Sequence, residues 1–212
     1  MILLVANYHG YLDSNKAKWE AIDERTRYYK QVFSRAGFPA LLETRDFYRS
    51  ADYIEALFRF SGRCRVRETL SAGQGTLRAA QETASVSDLL YVATQILDVH
   101  FLRVSLVTCG MDESPIYRYG LPLLLDQFGW KCSHIFLPPC PGIIAAEMHA
   151  SDGAENKILL SDTPQAVREK FEMHFARSRT ASPLFDFCVR TLFPLSSISR
   201  VTKGNGLPGA IL

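Results

Sequence analysis

The chain has 212 residues, of which 47% are hydrophobic and 22% charged, and its formal net charge is +2 at pH 7. This composition indicates one folded domain with a substantial core, and it excludes disordered, collagen-like and coiled-coil proteins. Every apolar run is shorter than the roughly 20 residues that a membrane helix needs, so we expect no membrane span. A charge balance so close to neutral neither requires nor excludes a nucleic-acid partner.

The first 60 residues predict two strands that alternate with two helices. The apolar run over 2–7 predicts a strand and not a signal peptide, because no basic residue precedes it. Apolar residues at helical spacing then predict a helix that begins near Asp13 and ends at Gly37. Its predicted apolar face consists of Trp19, Ile22, Tyr29, Val32 and Ala36. Residues 40–45 predict a second strand. The helix expected over 51–60 has Ile54, Leu57 and Phe58 on one face.

Residues 62–86 are the least hydrophobic stretch and predict a connecting segment that is partly helical. The densest basic patch lies at its start and consists of Arg59, Arg63, Arg65 and Arg67, called the arginine patch below. Arginine suits RNA phosphate because its guanidinium is a planar, permanently charged fork. We favour the simpler interpretation that the patch is the solvated surface of a connecting segment.

The second half of the chain continues the alternation of helices and strands. Ser87 and Asp88 predict the start of a helix, and Asp162, with Gln165 three residues later, predicts the start of another. The elements expected between these two helices are a strand over 104–109, a helix over 114–127, a strand over 133–137, a Pro/Gly-rich loop over 138–156 and a strand over 157–160. A last helix is expected over 183–193.

Strands that alternate with helices predict an α/β fold with a mostly parallel sheet and helices on both faces. We expect one domain over residues 1–200, followed by a flexible tail over 201–212. Ligands bind such sheets at the carboxyl ends of the strands. The loops after Ala6, Cys109 and Leu137 are therefore the expected location of a functional site.

Five cysteines, an odd number, are scattered over the chain, which favours a reduced, intracellular setting over a disulfide framework. Cys132, His134 and Cys140 are of types that ligate metals, but no second Cys/His pair completes a site at zinc-finger spacing. We therefore expect no metal site and interpret the cysteines as small hydrophobic side chains near strand ends.

Tyr91, Gln95 and Asp98 stand at positions i, i+4 and i+7, which places them on one face of a helix. A phenol, an amide and a carboxylate side by side form a polar patch that can hold an amino acid. The spacing alone favours an ordinary amphipathic helix with three exposed polar residues, so other motifs are needed to decide.

Further motifs near the predicted strand ends are Asn7-Tyr8-His9-Gly10-Tyr11-Leu12-Asp13, Cys109-Gly110-Met111-Asp112-Glu113, Pro141-Gly142, Glu147-Met148-His149-Ala150-Ser151 and Leu192-Phe193-Pro194-Leu195. Together with the helix motif, and in this order, they resemble the catalytic domain of tyrosyl-tRNA synthetases of the archaeal and eukaryotic type. Tryptophanyl-tRNA synthetases share the loop and the helix pattern, and the strand end before Asp13 favours the tyrosyl branch.

The resemblance implies a fold and a set of roles. The fold would be the Rossmann-like catalytic domain of class I synthetases, which joins tyrosine and ATP, with Mg²⁺, to tyrosyl-adenylate before transfer to tRNA. Tyr91 and Gln95 would hold the tyrosine ammonium, and Asp98 the tyrosine hydroxyl. The other substrate-binding residues would be His9, Phe47, Tyr48 and Glu113. Gly110, Asp112 and Met148 would bind the nucleotide.

Several positions depart from the family pattern, above all at the ATP end. The family's first strand and its His-Ile-Gly-His type signature have no counterpart, so we expect part of the catalytic domain to be missing. Glu147 replaces the loop lysine that meets pyrophosphate, and His149 replaces a serine, so the signature loop over 147–151 is degenerate and its catalytic residues are unknown. Glu113 replaces a glutamine. Tyr48 also replaces a glutamine and is expected to crowd the amino-acid pocket.

Two interpretations of these departures remain open. In both, the chain is expected to be inactive alone. In the first it is a fragment or degenerate copy that forms a homodimer or pairs with an intact synthetase half. In the second it is a pseudo-synthetase that binds RNA or protein. Tyrosine and tRNA, or another RNA, are the expected partners, without DNA or a membrane. The expected location is the cytoplasm, with the mitochondrion as the alternative.

Overall fold

The computed structural model describes residues 2–13, 18–38, 41–77, 81–145, 147–148, 153–159, 161–177 and 189. The chain divides into two compact units, Met1–Leu137 and Pro138–Leu212. The helix expected over 183–193, apart from residue 189, and the tail over 201–212 lie outside the described residues. No helix in the described ranges has both the length and the apolar character needed to cross a bilayer.

Short parallel strands form the sheet elements of the first unit, as the alternation of strands and helices predicts. They are β1 (Leu3–Val5), β2 (Leu41–Glu43), β3 (Leu106–Gly110) and β4 (Ser133–Leu137). β1 pairs with β2 and β3 pairs with β4, both in parallel. Within the described residues these strands make two separate two-stranded sheets. Each pair is joined by a crossover that contains a helix, as parallel pairing requires.

Helices supply most of the first unit. They are α1 (His9–Leu12), α2 (Ile22–Arg35), α3 (Thr44–Tyr48), α4 (Ala51–Ser61), α5 (Val66–Gly73), α6 (Val86–Phe101) and α7 (Ser114–Phe128). The buried core lies mainly where α4, α5 and α7 pack around α6. Ile96 of α6 is fully buried, and Gly120 of α7 lies so close to it that an added Cβ would collide with the Ile96 side chain. The absence of a side chain at Gly120 therefore lets the two helices approach closely.

The helix predicted between Asp13 and Gly37 begins later than expected, and its apolar face is wrong in part. A 3-10 turn over Trp19–Ala21 precedes α2, and Gly37 beyond its end has a φ of +83°, a conformation that glycine adopts without strain. Ile22 is buried, whereas Tyr29 and Ala36 are exposed. Trp19 is exposed and stacks on the Tyr8 ring, outside the core, with centroids 5.4 Å apart.

The apolar face predicted for α4 is buried only in part. Ile54 and Phe58 are exposed, and Phe58 keeps 71% of its surface accessible. The core instead takes the stripe of Tyr53, Leu57 and Phe60, of which Tyr53 and Phe60 are fully buried. Both stripes have helical spacing and share Leu57, so the choice depends on tertiary contacts that the local pattern does not contain.

α6 begins with a capping box two residues earlier than the predicted start at Ser87. Ser85 is the N-cap, and its backbone N–H donates to the Asp88 carboxylate across 2.8 Å. Asp88 is 1% exposed, so the box is anchored inside the fold. This helix carries Tyr91, Gln95 and Asp98.

The connecting segment contains α5, which confirms that it is partly helical. α5 packs on both α6 and α7. The Tyr119 hydroxyl of α7 accepts a hydrogen bond from the backbone of Arg65 at 3.1 Å and lies 3.0 Å from the Thr69 hydroxyl. The segment is therefore an integral part of the first unit.

The second unit contains a 3-10 turn over Ala154–Asn156 and the helix α8 (Pro164–Arg177). The strand predicted over 157–160 is not formed at 157–159, where the Leu159 N–H donates to the Asp162 carboxylate in a turn. The α8 cap is Thr163 and not Asp162, because the Thr163 hydroxyl accepts from the Ala166 N–H at 3.2 Å. Asp162 instead pairs with Lys170, whose ammonium also donates to the Lys157 carbonyl across 2.8 Å.

Candidate amino-acid site

The predicted helix motif lies on α6, where the described part of the chain is most deeply packed. Gln95 keeps 9% of its surface accessible and Asp98 keeps 4%, while Tyr91 is half-buried. A buried amide and a buried carboxylate are costly unless each has a polar partner. The ordinary amphipathic helix with three exposed polar residues is therefore excluded.

Asp98 is held by two phenols of the chain itself. The Tyr53 hydroxyl donates to Oδ1 across 2.7 Å, and the Tyr48 hydroxyl donates to Oδ2 across 2.9 Å. Burial raises the pKa of the Asp98 carboxyl to about 7, although the two phenol hydrogen bonds act in the opposite direction. The same burial, with the Asp98 charge, raises the pKa of both tyrosines, so they remain donors.

Gln95 presents a buried acceptor that lacks a partner. Its Oε1 finds no hydrogen-bond partner among the described residues. Burial and the Asp112 charge raise the pKa of Glu113, while the Gln95 side chain is one of the hydrogen-bond donors that lower it. Because a carboxylate only accepts, the Gln95 amide nitrogen faces Glu113 and the oxygen is left available. The Gln95 Oε1 acceptor and the Glu113 carboxylate therefore lie side by side on this face of α6.

His9 connects the strand end after β1 to the α6 motif. Its Nε2 lies 3.2 Å from the Thr94 hydroxyl, which itself donates to the Leu90 carbonyl across 2.7 Å. The hydroxyl can then only accept from His9, which assigns the proton to Nε2. Burial lowers the pKa of His9 to about 4, so the ring is neutral at pH 7. The ring also meets Tyr91 edge to face, with centroids 5.1 Å apart.

Phe47 and Tyr48, which the resemblance places near the substrate ring, lie at the end of α3 and adjoin Asp98. The Tyr48 ring stacks on Tyr53 with centroids 4.3 Å apart, and its edge meets His9 at 6.2 Å. Phe47 is 7% exposed and contacts the rings of both Tyr48 and Tyr53. The structure therefore brings His9, Phe47 and Tyr48 together at the Asp98 end of the motif.

Gly110 and Asp112 form the turn after β3. An added Cβ at Gly110 would meet the Asp112 carboxylate, so a side chain at this position would require that exposed carboxylate to move. The Asp112 carbonyl accepts from the Thr76 hydroxyl at 3.3 Å, which ties the turn to the connecting segment. Burial raises the Tyr91 pKa, and the nearby charges of Glu113, Asp13 and Asp112 raise it further. This end of the site is therefore electronegative.

In the second unit, Asn156 organises the described part of the predicted signature loop. Its Oδ1 accepts from the backbone N–H groups of Ile144 and Ala145, at 2.9 and 2.8 Å. Its Nδ2 donates to the Glu147 carbonyl across 3.0 Å. The Met148 N–H donates to the Cys140 carbonyl across 2.8 Å. His149, Ala150 and Ser151 lie outside the described residues.

The arginine patch is exposed but partly engaged with α7. Arg63 pairs with Asp126 at 2.8 Å, and the Arg59 guanidinium lies 5.6 Å from the centre of the Phe128 ring.

The described residues contain no group of three or more His, Cys, Asp and Glu side chains that could hold a metal ion. The rings of His134 and Tyr117 have centroids 4.1 Å apart.

The family model described as "tRNA synthetases class I (W and Y)" matches residues 1–206. The chain belongs to this family. The match covers both units and all the motifs described above, and it confirms the resemblance that the ordered motifs predict.

Among curated members of the family, the cytoplasmic tyrosine–tRNA ligase of Xenopus laevis is 30% identical over 205 residues, which make up 92% of this chain and 38% of that protein. The tyrosine–tRNA ligase of Haloarcula marismortui is 26% identical over 206 residues, 92% of this chain and 59% of the relative. These eukaryotic and archaeal relatives support the tyrosyl branch. The chain spans less than two thirds of the length of either.

Solved structures of the family confirm the α/β, Rossmann-like fold. The tyrosyl-tRNA synthetase of Archaeoglobus fulgidus, complexed with L-tyrosine, superposes with a TM-score of 0.79 at 23% identity and covers 91% of this chain and 61% of its own. The Aeropyrum pernix enzyme gives 0.76 at 18% identity, with 91% and 59% covered. The chain therefore has the fold of a class I synthetase catalytic domain.

Sequence reasoning missed three residues that hold the predicted motifs in place within their own units. They are Tyr53, which bonds Asp98, Thr94, which orients His9, and Asn156, which holds the loop. Tyr53 has a signal in the sequence, the helical stripe with Leu57 and Phe60. Thr94 and Asn156 have none, because their partners are distant in the chain or are backbone groups.

Proposed function

We propose that this chain is a tyrosine-binding module of the tyrosine–tRNA ligase family that does not form tyrosyl-adenylate alone. The observation that supports the proposal is the buried, unpartnered Oε1 of Gln95 beside the Glu113 carboxylate, within the described residues. The motif residues Tyr91 and Asp98 extend the same α6 face in both directions. The proposed ligand bridges this face, with its ammonium at Gln95 and its phenol towards Asp98.

An ammonium group fits the Gln95 end for two physical reasons. It brings three donors, one of which would satisfy the orphaned Oε1, whose burial without a partner is costly. It also brings a positive charge next to Glu113, whose pKa is raised by burial and by the nearby Asp112. Charge-assisted hydrogen bonds of this kind are about twice as strong as neutral ones.

ATP fits the chain less well than tyrosine does. Asp112 and Glu113 make the proposed nucleotide end electronegative, and Glu147 brings an anion to the loop that would meet pyrophosphate. Like charges oppose the approach of a triphosphate. We therefore propose that adenylate formation, if this chain takes part in it, requires an intact synthetase half as a partner.

Calorimetric titration with ligands that each lack one group tests the ammonium site. Tyramine keeps the ammonium and lacks the carboxylate, whereas 3-(4-hydroxyphenyl)propionate keeps the carboxylate and lacks the ammonium. We expect tyramine to bind at least as well as L-tyrosine and the acid not to bind. Addition of ATP and pyrophosphate should give no exchange.

A matched pair of variants localises the binding. Glu113→Gln removes the anion beside Gln95 and should weaken tyramine binding about tenfold, the equivalent of roughly 1.4 kcal/mol. Glu55→Gln makes the same change at an exposed position of α4 and should have no effect. Binding of the acid without binding of tyramine would contradict the proposed orientation.

A second candidate is RNA binding through the arginine patch, which is supported by the exposure of all four side chains. A tRNA complex held by phosphate contacts should weaken steeply with salt, and loss of each contact should lower the slope of log K against log salt by about one. Arg67→Gln tests this in an electrophoretic shift assay, with Arg118→Gln as an exposed control outside the patch. The cytoplasm is the proposed location, by similarity to the cytoplasmic relatives.

A further inference from the structure

The carboxylate that would receive the ligand's hydroxyl already has phenols on both oxygens. Tyr53 donates to Oδ1 of Asp98 and Tyr48 donates to Oδ2, at 2.7 and 2.9 Å. Asp98 is 4% exposed, so with both rings in place its oxygens offer almost no surface to an incoming hydroxyl. A tyrosine ligand must therefore replace one of these two phenols.

The two phenols differ in how firmly they are held. Tyr53 is fully buried in the middle of the core, with ring contacts to Phe47 and Phe101 at 5.4 and 5.1 Å. Tyr48 is half-buried and is the last residue of the five-residue helix α3. Rotation of Tyr48 breaks its ring contacts with Tyr8, His9, Phe47 and Tyr53, but it leaves the fully buried Tyr53 ring in place in the core. Tyr48 is thus the phenol that can move.

The Tyr48 ring also fills the space beside Asp98 in which the ring of the ligand would have to lie. Its edge meets His9 at 6.2 Å, and His9 in turn meets Tyr91 at 5.1 Å. These contacts form a row of rings from Asp98 towards Tyr91. Asp98 lies seven positions after Tyr91 on α6, about 10 Å along the helix axis, and Gln95 lies between them.

We propose that Tyr48 is a built-in occupant of the phenol end of the amino-acid site, where its ring and hydroxyl take the places of the ligand's own. This inference rests on the proposed tyrosine-binding function and identifies the residue that sets its affinity. A phenolic ligand gains a hydrogen bond to Asp98 only by breaking the one from Tyr48. The net gain in binding free energy at the phenol end is then close to zero, and the ammonium end supplies most of the affinity.

Removal of the occupant should therefore tighten tyrosine binding. A hydrogen bond to a charged group contributes enough for a change of about tenfold or more in Kd. We expect Tyr48→Ala and Tyr48→Gln to bind L-tyrosine about tenfold more tightly than the unchanged protein. Tyr48→Phe should gain less than about threefold, because its ring still fills the space although the hydroxyl is gone.

Tyr53→Phe is the matched control, since it removes the other hydroxyl from the same carboxylate but leaves Tyr48 in place. It should give no gain in tyrosine affinity. Calorimetric titration with L-tyrosine and with phenylalanine measures all four variants, and the gain should appear for tyrosine more than for phenylalanine. Thermal unfolding of each variant verifies that the fold is retained. If either Tyr48→Ala or Tyr48→Gln does not fold, the other still provides the test.

The outcomes separate this inference from the function on which it rests. Equal Kd values for the unchanged protein and both Tyr48→Ala and Tyr48→Gln would overturn the inference and leave tyrosine binding intact. A gain in Tyr53→Phe as large as in Tyr48→Ala would overturn the assignment of the displaceable ring. If folded Tyr48→Ala and Tyr48→Gln bind neither tyrosine nor tyramine, both proposals fail together.

Discussion

The Tyr53 hydroxyl donates to Asp98 Oδ1 across 2.7 Å, and this bond joins α4 to α6 inside the core. Tyr53 is fully buried and Asp98 is 4% exposed. A carboxylate this deep is stable only with donors on it, and even so burial raises the pKa of Asp98 to about 7. The residue is therefore both a candidate binding group and a source of pH-dependent stability.

The first prediction concerns this pH dependence. Because the Asp98 pKa is raised from 3.8 to about 7, the folded state binds a proton more tightly than the unfolded state. The stability from this group is present below pH 3.8 and is lost as the pH rises through 7. Asp98→Asn removes this decrease in the free energy of unfolding, because the amide does not titrate. The free energy of unfolding of the variant minus that of the unchanged protein should rise with pH between 4 and 7, by up to about 1.4 kcal/mol per unit.

His9 contributes with the opposite sign over part of the same range. Burial lowers its pKa from 6.5 to about 4, so its contribution is present above pH 6.5 and is lost as the pH falls through 4. Urea unfolding at several pH values measures the difference between variant and unchanged protein, in which the His9 contribution cancels. Asp126→Asn, at an exposed position, is the control with the same charge change. A difference that does not vary with pH would show that Asp98 titrates alike in both states.

The second prediction concerns the contact between α6 and α7. Gly120→Ala places a Cβ against the Ile96 side chain, which is fully buried and has no space to retreat. Overpacking of this kind costs about 1–3 kcal/mol of unfolding free energy. Chemical denaturation measures the loss. Gly62→Ala is the control, because its backbone φ of −62° suits alanine and the nearest atom to the added Cβ is a backbone oxygen at 3.6 Å.

A double variant verifies that the Gly120 effect comes from this contact. Ile96→Ala alone should destabilise by leaving a cavity, and the added methyl of Gly120→Ala should fill part of it. The double variant should then be less destabilised than the sum of the two single changes. Strict additivity would mean that the methyl is accommodated elsewhere.

The sequence predicts the parts of this fold that depend on local spacing. The alternation of strands and helices predicts the parallel pairs, and the i, i+4, i+7 spacing places Tyr91, Gln95 and Asp98 on one helix. It fails where two local patterns compete, as on α4, where the Tyr53 stripe is buried in place of the Ile54 stripe. Tertiary contacts decide between them, since only the first stripe brings a donor to Asp98.

In the candidate site too, the sequence shows the motif residues but not the distant residues that they contact. Its acceptors and anions are visible in the motifs, but their donors come from other segments of the chain. Tyr48 lies 50 residues from Asp98 and His9 lies 85 residues from Thr94, so no spacing rule links them. The strand expected over 157–160 is not formed at 157–159 for a related reason, because the Leu159 N–H bonds Asp162 in a turn.

The third prediction concerns Asn156 and the loop that it holds. Asn156→Ala removes the acceptor of the Ile144 and Ala145 amides. Their hydrogen exchange should accelerate about tenfold, the equivalent of one hydrogen bond. Asn156→Asp keeps an acceptor for both amides but loses the donor to the Glu147 carbonyl. It should therefore protect the two amides more than alanine does.

Hydrogen exchange followed by mass spectrometry distinguishes these variants. Gln165→Ala is the control in the same unit, since it removes only an exposed hydrogen bond to Glu169 within α8. Unchanged protection of residues 144 and 145 in Asn156→Ala would show that the loop is held by other contacts.

The last prediction concerns the charge of the signature loop. Glu147 is exposed, and the resemblance places a lysine at this position, so Glu147→Lys exchanges an anion for a cation where pyrophosphate would lie. ATP should bind this variant about fivefold to tenfold more tightly at low ionic strength, and the gain should shrink as salt screens the exposed charge. Glu155→Lys makes the same charge change at another exposed position of the second unit and serves as the control. Calorimetric titration with ATP at two salt concentrations measures both variants. An equal gain in both would assign the effect to net charge, whereas a gain confined to Glu147→Lys would assign the weak fit of ATP to the loop itself.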